Sequence, residues 1–219
     1  MGPLNLLKDA TVKKNQGDID QAIQALREAI ALMDQEKAQS RIEYSIEHYL
    51  RLPLYLQEAG RPRDAWVEFN NLLISHPEPG NLAMTYDKMR LFLQREGSND
   101  RAITFGIFSI VCRAIHYYQI WQEAIKIDGN SENRVTRSYN EHSPFPFSKA
   151  FFEGYISKKN IELRLSPLLK KAKKTHLMEK LQDIILDEMK KIPAVDFNEI
   201  NKKVAKCGVK NHPLKKDDI

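Results

Sequence analysis

Gly17-Asp18-Ile19-Asp20-Gln21-Ala22-Ile23-Gln24-Ala25-Leu26-Arg27-Glu28-Ala29-Ile30-Ala31-Leu32-Met33 is the stretch on which the fold turns. Ile19, Ala22, Ile23, Leu26, Ala29, Ile30 and Met33 are separated by 3, 1, 3, 3, 1 and 3 residues, which is one apolar face of a helix with a 3.6-residue period. Gly17-Asp18 marks a turn before it, and Leu4 to Asn15 reads as a first helix. The unit is therefore a helix, a glycine turn and a second, antiparallel helix. With 219 residues, 42% hydrophobic and 29% charged, the chain has the material for a packed core. Only 9 Gly and 10 Pro argue against a many-stranded sandwich or barrel, with its many tight turns.

The same unit recurs downstream. Ile46 to Glu58 is followed by Gly60-Arg61-Pro62 and by a second helix over Arg63 to Ser75, with Ala65, Trp66, Phe69, Leu72 and Leu73 on one face. Pro62 suits a first helical turn, where its missing N–H has no partner to lose, and Pro77 and Pro79 close the helix. Leu82 to Arg95, then Gly97-Ser98-Asn99-Asp100, leads into a long helix from Arg101 to about Ile127. Aligned on Gly17, Gly60 and Gly97, a small residue recurs five places on, as Ala22, Ala65 and Ala102. A large apolar residue follows four later as Leu26 and Phe69, and first-helix positions match as Leu6, Tyr49 and Tyr86.

This pattern resembles the tetratricopeptide repeat over residues 4 to 112, with glycine spacings of 43 and 37 against about 34 in the family. Lys13, Pro53, Gly106 and Ser109 depart from the pattern, and Pro53 is expected to kink its helix. The resemblance implies an all-α fold of stacked antiparallel helix pairs that holds protein or peptide segments on the face of its first helices. It places Lys14, Glu47, Arg51, Asp87, Lys88 and Arg95 on that face. The carboxylate clamp of some family members needs Lys and Asn where this chain has Leu7 and Thr11, so that clamp is not expected. Arg51 and Arg95 are the residues best suited to grip a carboxylate, because guanidinium pairs with it bidentately.

The Arg101–Ile127 segment is apolar nearly all round, which predicts a central helix with Phe105, Phe108, Ile115 and Trp121 buried. The rings of the run from His116 to Trp121 point in different directions and are expected mostly in the core. A polar stretch then reaches Ser143-Pro144-Phe145-Pro146-Phe147. Beyond it, Ser166-Pro167 reads as the start of a helix running to about Ile192. Asp196-Phe197-Asn198-Glu199 resembles a capping box opening a last short helix that ends at Gly208. The expected organisation is a repeat domain over 1–127, a linker or loop over 128–150 and a basic helical region over 151–219.

Charge separates these regions. Residues 1–100 hold 12 Lys+Arg against 15 Asp+Glu, and residues 101–219 hold 22 against 14. Lys170, Lys171, Lys173 and Lys174 form the densest basic cluster, an alternative binding patch for an anionic partner. Glu179, Asp183 and Asp187 line one helical face, where neighbouring lysines make a solvated, salt-bridged surface the better reading. No phosphate-loop, dinucleotide, zinc-protease or serine-hydrolase motif occurs, and the six histidines show no ligand spacing. No enzyme, cofactor or metal site is expected. Cys112 and Cys207 stand apart, no signal segment opens the chain, and the expected location is cytoplasmic. The preferred function is a protein- or peptide-binding module without membrane contact. A toxin-neutralising protein and a nucleic-acid-associated regulator acting through the basic helices are the alternatives.

Overall fold

The computed structural model describes residues 1–40, 42–127 and 149–209. The fold is all-α, and no strand occurs among the described residues. Most of the stretch expected as a linker, residues 128–148, and the tail beyond Val209 lie outside the described residues. The chain divides into two compact units, Met1–Pro77 and Glu78–His212. That division falls inside the span expected to form one repeat domain.

In the first unit, α1 (Pro3–Asn15) pairs with α2 (Ile19–Ser40). The next pair is α3 (Ile46–Tyr49) and α4 (Arg51–Glu58) against α5 (Pro62–Ser75). The segment Ile46–Glu58, expected as one helix, is broken at Leu50. Pro53 explains the break, because its ring and missing N–H disrupt the turn that would bond to Tyr49, four residues earlier. The core is built from Ala22, Ile23, Leu26, Ala29, Met33, Leu56, Ala65 and Phe69, all buried. Ala22 and Ala65 are fully enclosed, so the small residue at this place lets the two helices of a pair approach.

The second unit opens with α6 (Pro79–Arg95) and α7 (Asn99–Ile127). Here Ser109 and Gly106, which depart from the expected repeat pattern, have packing roles. Ser109 donates its hydroxyl to the Ala83 carbonyl at 2.7 Å, joining the two helices directly. A Cβ on Gly106 would overlap Leu168 Cδ1 and stand 3.2 Å from Arg90 Cδ, so glycine makes room for the next helix. That helix is α9 (Lys158–Lys171), preceded by α8 (Lys149–Tyr155). After a 3-10 turn at Thr175–Leu177 come α10 (Met178–Met189) and α11 (Phe197–Lys206). The side chains of Ile103, Ile107, Val111 and Ala114 meet Ile161, Leu165, Leu169, Leu181, Ile185, Ile200 and Val204 in one core.

Several expectations change. Phe105, Phe108 and Trp121 are half-buried, and of the four residues named for this core only Ile115 is buried. Tyr86, Phe105 and Phe108 instead form an edge-on ring cluster with Phe197, the Phe108–Phe197 centroids lying 5.3 Å apart. His116, Tyr117, Tyr118 and Trp121 are likewise half-buried, with Tyr118 and Trp121 against Phe152. Ser166-Pro167 does not start a helix but lies within α9, whose N-cap is Ser157. Pro167 deprives the Leu163 carbonyl of its helical partner, on a helix turn whose Leu163 is 67% exposed. The N-cap of the expected capping box is present: Asp196 accepts from Asn198 N at 2.8 Å and Glu199 N at 3.2 Å.

The helix expected from Ser166 to Ile192 is cut at Lys173, and the cut repeats the glycine turns. Gly17, Gly60 and Gly97 have φ of 87°, 71° and 74°, and Lys173 has φ of 56°. In each, the N–H of that residue bonds three residues back and the next N–H bonds five back; at Lys173 these reach Lys170 O (3.1 Å) and Leu169 O (2.8 Å). The pair α9–α10 therefore has the turn of the earlier pairs with lysine in the left-handed position. A side chain there costs about 1–2 kcal/mol. Lys173→Gly should raise the stability of the second unit by up to about 1 kcal/mol, measured as a thermal midpoint higher by a few degrees.

Candidate functional site

The first unit contains a cleft of about 650 Å³. It exists because α2 is long: the apolar pattern predicts a helix to Met33, and the helix continues to Ser40. Tyrosine hydroxyls hold that extension. Tyr49 donates to Asp34 Oδ1 at 3.1 Å, and Tyr44 donates to Glu36. Burial, and then the Asp34 carboxylate, push the Tyr49 hydroxyl far above its ordinary pKa, so it stays a donor. Across the cleft, α5 ends at Ser75, since Pro77 disfavours helical backbone at His76. His76 is 9% exposed, lies tilted against the Tyr49 ring with centroids 4.8 Å apart and meets Ser75 Oγ through Nδ1 at 2.9 Å.

The walls of the cleft carry Ile30, Asp34, Lys37 and Ala38 from α2, and Glu68, Asn71, Leu72 and Ile74 from α5. Tyr49, Leu52, Ser75 and His76 complete it. Ile30, expected on the core face, is half-buried because it borders this space. Ile74 is 80% exposed. None of these is among the six residues that the repeat resemblance places on a partner-binding face, and most of them lie on α2 and α5, the second helices of their pairs. The signal that could have found the cleft is the 43-residue glycine spacing, whose extra length is the overhang of α2.

The six residues placed on the first-helix face have varied surroundings, three in each unit. Lys14 forms an ion pair with Glu58 at 2.7 Å and lies 4.6 Å from the Tyr55 ring centroid. Arg51 points inward: Nη2 donates to Leu7 O at 2.9 Å, Thr11 Oγ1 at 2.6 Å and Tyr55 Oη at 3.2 Å. It thus occupies the Leu7–Thr11 place and ties α4 to α1. Glu47 is exposed beside its N-cap, Ser45. In the second unit Asp87 pairs with Arg90 at 2.8 Å, Lys88 is half-buried and Arg95 is exposed. None of the six lines the cleft.

The C-terminal charges also separate. Lys174 pairs with Asp100 at 2.9 Å and donates to the Gly208 carbonyl, whereas Lys170, Lys171 and Lys173 are exposed. In the acidic stripe Asp183 pairs with Lys158 at 3.3 Å and Asp187 with Lys190 at 2.9 Å, a solvated face. The neighbouring Glu188, whose burial no local pattern signals, is fully buried and accepts from both Lys191 and Lys203 at 2.7 Å. Among the described residues no cluster of His, Cys, Asp and Glu could hold a metal ion, and no helix is long and apolar enough to cross a membrane. No protein-family model, curated protein or solved structure matches the chain.

Two outcomes follow from these ties. Arg51→Ala should lower the stability of the first unit by about 1.5–3 kcal/mol, the worth of hydrogen bonds from a charged donor, visible as a lower urea midpoint. Glu188 sets an acid limit on the second unit. Burial pushes its carboxyl up, but the bonds from Lys191 and Lys203 outweigh that and hold it below the ordinary value. The unfolded chain therefore takes up the proton first as the pH falls. The stabilisation is whole above the ordinary glutamate range and lost as pH drops through the lowered value. Urea midpoints taken from neutral to acid pH should fall less steeply for Glu188→Gln than for the parent chain.

Proposed function

We propose that this chain is a non-enzymatic protein-binding module of tetratricopeptide-like helix pairs, with the cleft of the first unit as its principal contact. The observation that carries the reading is that cleft: about 650 Å³, bounded by helices from two successive pairs, with a nearly fully exposed isoleucine at its edge. Its size lies in the range of about 300–1,000 Å³ typical of ligand sites. Glycine-turned helix pairs support the same reading, since such pairs present side chains from rigid helices to a partner. Glu47, exposed in the same unit, offers a further charged contact, while Arg51 serves the fold. Cys112 and Cys207 are free thiols, which fits a reducing compartment and the cytoplasmic location proposed with this function.

Native co-purification of the tagged chain, compared with Ile74→Glu, tests the reading. A partner retained at constant ratio by the parent chain should be lost from the variant, while both keep the same circular dichroism and thermal midpoint. Equal retention by both, with loss when Lys170, Lys171 and Lys173 are changed to Glu, would move the site to the basic helices. Salt-sensitive retention on DNA by those lysines would then favour the nucleic-acid reading.

A further inference from the structure

We infer that the cleft between α2 and α5 receives a basic side chain, lysine or arginine, on a partner segment that carries an aliphatic residue beside it. The inference rests on the protein-binding reading and gives that site its ligand chemistry. Two carboxylates stand in the walls, Asp34 on α2 and Glu68 on α5, against one cation, Lys37. Asp34 is already oriented, because the buried Tyr49 hydroxyl donates to its Oδ1. An ionised carboxylate offers about four acceptor sites, so most of its capacity is left for an incoming N–H. Among the described residues Glu68 and Lys37 are in no ion pair or side-chain hydrogen bond.

Each ligand class meets these walls differently. An anion faces two carboxylates. An apolar plug takes water from both of them and returns no donor, which costs more than its own burial returns. A lysine or arginine brings donors for the carboxylates and a long aliphatic stem that lies along apolar surface. That surface is present in Ile30, Leu52 and Leu72. Asn71 and Ser75 add polar contacts for the backbone that carries the residue. The volume exceeds one side chain, so a segment enters and not a single group. Ile74, 80% exposed, is placed to cover a neighbouring aliphatic side chain of the same segment.

The test is a random peptide library displayed on phage and selected on the full chain, followed by titration of the best peptide by fluorescence anisotropy. Selected sequences should share a Lys or Arg next to a Leu, Ile or Val. Asp34→Asn and Glu68→Gln should each weaken the peptide at least about tenfold, or 1.4 kcal/mol. Asn at position 34 still accepts the Tyr49 hydroxyl, so thermal midpoints should not move. Ile74→Ser should weaken binding several-fold, and replacing the basic residue of the peptide by norleucine should abolish the effect of both wall variants. Enriched peptides that lack a basic residue, or unchanged affinity in Asp34→Asn and Glu68→Gln, overturn the basic-ligand inference and leave the protein-binding reading in place. If no peptide is enriched and no partner co-purifies, both fall.

Discussion

The structure depends on a reversal of the chain that only a left-handed residue permits. Each helix ends with carbonyls that have no helical partner, and the turn at Gly17, Gly60 and Gly97 satisfies two of them while sending the chain back. Once the chain is reversed, the second helix must cover the first, and the small residue five places on sets how closely. Ala22, Ala65 and Ala102 are all enclosed, at 0%, 0% and 1% exposure. Lys173 makes the same turn at a conformational cost, and the core formed by Leu165, Leu169, Leu181 and Ile185 holds it there.

Departures from the repeat pattern have structural consequences, and two of them meet at the cleft. Pro53 breaks its helix at Leu50, leaving a short α3 whose Tyr49 turns toward α2 and α5. The long spacing lets α2 run on to Ser40, past the end of α5. The space between them is lined by both kinds of surface: aliphatic side chains inherited from the core faces, and carboxylates from the outward faces.

In the second unit, several buried polar and charged side chains are bonded from one helix to another. Ser109 spends its hydroxyl on a backbone carbonyl, Gln182 donates to Lys158 O at 3.0 Å, and Glu188 draws in two lysines. Removing both lysines would leave the Glu188 carboxylate buried without a partner, so this set favours one packing of the helices that carry it. The basic residues on the same helices differ. Lys174, Lys191 and Lys203 are part of the fold, while Lys170, Lys171 and Lys173 remain on the surface.

Periodicity and turn chemistry are local, and they were legible. The face of α2, the glycine turns, the first-turn Pro62 and the Asp196 cap all follow from neighbouring residues. They determined an all-α fold of helix pairs. What no local pattern carries is which face meets which neighbour. Arg51 looks like a surface cation until Leu7 and Thr11, 44 and 40 residues away, are brought beneath it. The lysine at position 173 gives no turn signal, because its left-handed geometry is imposed by packing and not by its own preference. The division at Pro77, the half-burial of Phe105 and Phe108 against Phe197, and the cleft beside Tyr49 are decided by contacts between residues far apart in the chain. Such contacts exist only once the helices have docked, so tertiary structure alone places them.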